Sequence, residues 1–149
     1  MKDTLKFSAL IVLGLITAIL IYPVLHELGH IIAAVLVGAE VREVVILPLP
    51  SVLCQIDTTS PISMIMVGVS GMLLPYLITL NKAPKGFWMW YVWLVLKGIC
   101  ILSFVIAGIA VFQYQSGTPM VNEDMTQVMK YAPEYAIIFL LTENQKEYY

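Results

Sequence analysis

Residues 7–37 form a long apolar stretch with one strongly polar interruption, the sequence His-Glu-Leu-Gly-His at residues 26–30. About 20 apolar residues in a helix are enough to cross a bilayer, so this stretch can span a membrane. An ionisable side chain at bilayer depth is costly, and such residues usually serve a function there. The stretch therefore predicts a membrane helix that carries a functional site.

The composition also indicates a membrane protein. Of the 149 residues, 60% are hydrophobic and 12% are charged, whereas soluble domains carry about 25% charged residues. The net charge is −2 and no basic run is present, so nucleic acid is not an expected partner. Cys54 and Cys100 lack C-x-x-C spacing, and we interpret both as apolar packing residues. We expect an integral, multi-pass protein of the cell membrane, surrounded by the lipid bilayer.

The expected fold class is mainly α: a single domain over residues 1–149, built as a polytopic membrane helix bundle. Three apolar segments predict its transmembrane helices, at about residues 7–37, 62–80 and 87–112.

Two shorter elements are expected beside these helices. β-Branched residues within 41–56, split by Pro48 and Pro50, predict a short β-hairpin with a free edge. Thr118-Pro119 predicts the start of a polar, amphipathic C-terminal helix that runs to about residue 131.

Proline and small residues affect the expected shape and packing of the first two helices. Pro23 cannot donate a backbone hydrogen bond, so we expect it to kink the first helix or to start a new one just before His26. Gly68, Ser70 and Gly71 in the second helix are spaced for close approach of another helix.

The third helix begins with an aromatic cluster that includes Trp88 and Trp93, as expected at a membrane interface. Lys97 lies about ten residues into this helix. We expect its ammonium group to snorkel towards water or to pair with an acid.

The spacing H-E-x-x-H predicts a zinc site. Residues four apart lie on one face of a helix, so His26 and His30 can bind the same Zn²⁺. Glu27, between them, is then placed to take a proton from a water activated by the metal.

A catalytic zinc ion usually has three protein ligands and a water, and the chain contains no third histidine. The predicted topology returns the chain to the side of the motif after the third span. Asp57, Glu123 and Asp124 are therefore the carboxylates within reach.

Helical phase favours Asp124 as the third ligand. Val121, Asp124, Met125 and Val128 follow the spacing of an apolar helix face, whereas Glu123 lies off that face and is expected in solvent. Two alternatives stay open at this point. Asp57 is the second candidate ligand, and Asp124 has the competing roles of helix cap and partner of Lys97.

These features resemble the site-2 protease family of intramembrane zinc metalloproteases. The resemblance rests on the His-Glu-Leu-Gly-His motif, on Gly-Ala-Glu-Val at residues 38–41 before the strands, and on the glycine-containing residues 68–75 of the second span. It covers about residues 15–80, roughly half of the chain.

The resemblance implies cleavage of membrane-spanning or membrane-associated proteins in or near the bilayer. It implies that His26, His30 and a later aspartate bind zinc and that Glu27 is the general base. The family pattern Asn-Pro-Leu-Asp-Gly around that aspartate is replaced here by Asn-Glu-Asp-Met at residues 122–125. The aspartate of the pattern corresponds to Asp124, and the departure leaves open an inactive relative that acts as a membrane scaffold or regulator.

The distribution of basic residues and the family resemblance predict opposite orientations of the protein in the membrane. Four lysines lie near the N-terminus and the loop between the second and third spans, against three basic residues on the side of the hairpin. The positive-inside rule then predicts a cytoplasmic N-terminus and a site that opens outside. The family resemblance implies a site that faces the cytosol.

Overall fold

The computed structural model describes residues 2–45, 50–56, 60–121 and 123–131. The predicted fold class is confirmed: the protein is mainly helical, with a two-stranded antiparallel hairpin and a short helix at the C-terminal end of the described chain. In chain order the elements are α1 (Lys2–Ile16), a π-helical turn (Thr17–Ile21), α2 (Tyr22–Leu36), β1 (Glu40–Val45), β2 (Ser51–Gln55), α3 (Pro61–Thr79), α4 (Phe87–Gln115) and α5 (Asp124–Tyr131).

Three helical stretches are long and apolar enough to cross a membrane, as predicted: Asp3–Leu36, Pro61–Thr79 and Phe87–Gln115. Their outward faces carry exposed aliphatic and aromatic side chains, among them Leu15, Val105 and Trp88. Such a surface is suited to contact with lipid acyl chains.

The first helical stretch passes through the predicted break without losing its continuity. A π-helical turn comes directly before α2, and Pro23 lies in the first turn of α2. The backbone N–H of Tyr22 bonds the carbonyl of Thr17, five residues earlier. The wider turn therefore lies directly before the proline, and the α-helical hydrogen-bond pattern resumes in α2.

Gly38 ends the turn after α2 with a positive φ of 74°, a backbone conformation that suits glycine. The predicted hairpin follows. Strands β1 and β2 pair in antiparallel register, with Val44 opposite Val52 and an irregularity between Val41 and Glu43. Pro48 of the predicted turn lies outside the described residues.

Helices α2 and α3 pack closely, as the small residues of α3 predict. A Cβ atom added at Gly29 would overlap the carbonyl oxygen of Ser70. Ala33, Ala34 and Val67 form a buried cluster beside this contact. The two backbones thus approach to a distance that a larger side chain at Gly29 would prevent.

Lys97 is not paired with Asp124. Its Nζ atom lies 4.8 Å from the centre of the Trp93 ring, one turn nearer the start of α4. This direction agrees with the snorkelling interpretation, and a cation over an indole face is a favourable contact.

Helix α5 begins later than predicted. Gly117, with φ of 82°, follows the end of α4, and residues 118–121 are not helical. The prediction that Thr118-Pro119 starts the helix is therefore wrong. Glu123 caps the helix instead, because its Oε2 atom accepts a hydrogen bond of 2.9 Å from the Thr126 N–H.

The apolar face of α5 is confirmed in part. Met125, Val128 and Met129 are buried against α3 and α4, in a cluster that includes Met72 and Ala110. Val121 is 86% exposed, however, since it precedes the helix and does not belong to that face. The packing of α5 against the two membrane helices positions its first residue, Asp124.

Candidate metal centre

Two imidazole nitrogens face each other on α2. His26 and His30 are one helical turn apart, and their Nε2 atoms are separated by 3.1 Å. The rings meet edge to face, with centroids 4.8 Å apart. His30 is buried and His26 is half-buried, so the pair lies at the inner side of the helix, towards α3.

Asp124 completes this arrangement from the other end of the chain. Its Oδ2 atom is 3.0 Å from Nε2 of His26 and 3.3 Å from Nε2 of His30. Of the described residues, these three form the group whose ligand atoms are near enough to one another to hold a metal ion. A tetrahedral zinc ion with bonds of about 2.0–2.2 Å separates its ligand atoms by about 3.3–3.6 Å, close to the distances found here.

The hydrogen bond on the far side of His30 indicates which nitrogen is available for a metal. Its Nδ1 atom lies 2.7 Å from the carbonyl oxygen of Val67. A carbonyl can only accept, so Nδ1 donates and a neutral His30 has its lone pair on Nε2. That lone pair faces a carboxylate oxygen, an arrangement that requires a proton or a metal ion between them.

Asp124 is held in its charged form. Burial by itself opposes ionisation, but the hydrogen bonds and electrostatic attraction of the two imidazoles outweigh it and hold the pKa of Asp124 well below its usual range. The centre therefore combines one anionic oxygen with two imidazole nitrogens. This donor set fits zinc.

Glu27 lies beside the three candidate ligands and is separate from them. It is half-buried and lines a cavity of about 530 Å³ together with His30, Asp124 and strand β2. The backbone of Val52 in β2 is within hydrogen-bonding reach of its carboxylate.

Gly71 of α3 lies against the Nε2 atoms of the two imidazoles, at the edge that faces the candidate metal position. A Cβ atom at this position would lie 2.5 Å from Nε2 of His30 and 2.7 Å from Nε2 of His26. The sequence predicts that Gly71 permits close helix approach, but it does not reveal this contact with the candidate ligands. The sequence also does not reveal that the Val67 carbonyl accepts a hydrogen bond from His30, because every residue type has a backbone carbonyl.

The remaining candidates have other positions. Glu123 is half-buried and caps α5, so the expectation that it is solvated is wrong. Burial raises its pKa, while the Thr126 N–H has the opposite, smaller effect. Asp57, the alternative third ligand, lies outside the described residues. Cys54 and Cys100 are free thiols, and Cys54 lines the cavity.

Comparison with known proteins adds no assignment. The chain matches no protein-family model, no curated protein and no solved structure.

Proposed function

We propose that this protein is an intramembrane zinc metalloprotease of the cell membrane, which hydrolyses peptide bonds of membrane-spanning or membrane-associated proteins. One observation carries the proposal. Nε2 of His26, Nε2 of His30 and Oδ2 of Asp124 converge within 3.0–3.3 Å of one another. The two histidines lie on a helical stretch that is apolar enough to cross a membrane.

The three converging residues would hold the zinc ion. When bound, zinc supplies a Lewis acid that makes a water nucleophilic near neutral pH and polarises a carbonyl group. Val67 contributes from its backbone, because its carbonyl keeps the His30 ring in the orientation that directs Nε2 to the metal.

Glu27 handles the protons of the reaction. Its carboxylate accepts a proton from the attacking water and transfers it to the nitrogen of the leaving amine. The side chain lines the same cavity as His30 and Asp124, so a peptide bond in that cavity comes within its reach.

The substrate must present an extended segment to this cavity. A helix hides its carbonyl groups in backbone hydrogen bonds, so a membrane-spanning substrate has to unwind locally. Residues 51–56, which include β2, line the cavity. We infer that this strand holds the unwound segment by β-strand addition.

Substitution of Glu27 tests the catalytic part of the proposal. The Glu27→Gln variant keeps the size of the side chain but cannot accept the proton, so cleavage of a model transmembrane substrate should fall at least about 100-fold. Glu43→Gln is the matched control, because Glu43 is exposed on β1. Equal cleavage by the parent and by Glu27→Gln would rule out this mechanism.

Metal content separates the enzyme from a scaffold. We expect about one zinc per chain in the purified protein and none in a His26→Ala, His30→Ala double variant. Zinc at this stoichiometry without cleavage of any membrane substrate would favour the inactive relative. A parent protein that binds no zinc would contradict the proposal altogether.

A further inference from the structure

The two histidines of the candidate centre are supported differently. His30 donates its second ring N–H to the Val67 carbonyl, the kind of contact that usually orients a metal-binding imidazole. The corresponding Nδ1 atom of His26 is buried and has no hydrogen-bond partner among the described residues. Apart from the contacts of its Nε2 atom with Asp124 and His30, the orientation of the His26 ring therefore depends on packing.

Tyr22 provides that packing. It precedes His26 by four residues, so both side chains lie on one face of α2. The ring centroids are 5.8 Å apart and the planes are tilted by 43°. The ring of His26 is bounded by Tyr22, by the His30 ring and by Gly71.

Tyr22 is itself held from another helix. Its hydroxyl forms a hydrogen bond with the Ser103 hydroxyl of α4, across 81 residues of sequence. The bond is partly buried within the bundle, where few water molecules compete for either hydroxyl. Because the π-helical turn ends one residue before Tyr22, the α-helical phase that carries Tyr22, His26 and His30 also starts at this anchored residue.

We propose that Tyr22 is a positioning residue for His26, and that its hydrogen bond to Ser103 replaces the ring hydrogen bond that His26 lacks. The chain of contacts runs from Ser103 through the Tyr22 hydroxyl and ring to the imidazole. The inference rests on the proposed function in one respect, namely that His26 binds a metal. It predicts that either hydroxyl can be removed with the same consequence for the metal.

Cobalt binding to the full-length protein in detergent tests this inference, because Co²⁺ occupies such sites and its visible absorption reports ligand geometry. We expect Tyr22→Phe and Ser103→Ala each to lower cobalt affinity by about tenfold, as loss of an outer contact to a metal ligand typically does. The double variant should bind no more weakly than either single variant, and Ser103→Thr, which retains a hydroxyl, should bind as the parent does.

Tyr76→Phe is the matched control. Tyr76 is a half-buried aromatic residue that packs on Phe104 of α4, away from the candidate ligands, and its variant should keep the affinity and spectrum of the parent. Elution as a single species on size exclusion identifies folded variants, and Ser103→Ala reaches the same bond without altering α2. Parent-like cobalt affinity in both Tyr22→Phe and Ser103→Ala would overturn this inference but not the proposed metal centre. If the losses of affinity in the two single variants add up in the double variant, the two residues do not act through one chain of contacts. If the parent protein binds no cobalt, both this inference and the proposed metal centre are overturned.

Discussion

Replacement of Gly71 by alanine is the sharpest test of the centre's geometry, because it adds one methyl group against the Nε2 atoms of the two imidazoles. The added Cβ would lie 2.5 Å from Nε2 of His30 and 2.7 Å from Nε2 of His26. Ordinary contact begins near 3.4 Å, so the rings or α3 must move by about 0.7–0.9 Å in a close-packed interior. Metal–ligand distances in established sites fall within about 0.2 Å of their typical values.

We therefore expect Gly71→Ala to lose zinc affinity and activity by about 100-fold, the effect of a misplacement near 1 Å. Stability should also fall, by about 1–3 kcal/mol, because the methyl group overpacks a filled interface. Zinc content per chain, proteolysis of a model substrate and unfolding in detergent measure the three effects separately.

Two glycines of α4 provide the matched controls for this variant. A Cβ atom at Gly98 or at Gly108 meets no atom within 4 Å. Gly98→Ala and Gly108→Ala should therefore bind zinc as the parent does and gain up to about 1 kcal/mol from helix propensity. If Gly71→Ala also retains parent-like zinc content and activity, the imidazoles are not held against α3 as described.

Two further predictions concern the third ligand and the cavity. Asp124→Asn should lower zinc affinity at least tenfold, because the anionic oxygen is lost. Glu123→Gln keeps an acceptor that can cap α5 and should bind zinc as the parent does. Chelator competition measures both affinities, and equal values in the two variants would contradict Asp124 as the third ligand. Burial raises the pKa of the Cys54 thiol. In a Cys100→Ser background, Cys54 should therefore react slowly with an impermeant maleimide at pH 7, and the rate should rise about tenfold for each pH unit above 7. The reagent should reach Cys54 from one side of the membrane only. A rate that stays flat between pH 7 and 9 would refute the second prediction.

The membrane helices and the hairpin could be predicted from the sequence because their signals are local. Each predicted span coincides with an observed helix within a few residues, and the β-branched residues on both sides of residues 46–49 form β1 and β2. Apolar run length and β-branched composition act over short windows, and no distant residue competes with them here. The histidine spacing is local in the same sense, since an α-helix dictates where residues four apart must lie.

Two kinds of feature were not predicted: the start of α5, which neighbouring residues decide, and the contacts that join separate helices. The start of α5 depends on the reversal at Gly117 and on the Glu123 cap, and the Thr-Pro pair alone suggested an earlier start. The contact of Gly71 with the imidazoles, and the bond between Tyr22 and Ser103, join separate helices. Residue type at one position carries no information about such partners.

The position of Asp124 depends on how the short helix α5 is held in the bundle. Helix α5 has only eight residues, too few to be stable alone in water, so its place depends on Met125, Val128 and Met129 packing against α3 and α4. The Glu123 cap secures the first turn, and the carboxylate then points at the two histidines. Packing and capping together therefore place Asp124 where its carboxylate meets His26 and His30.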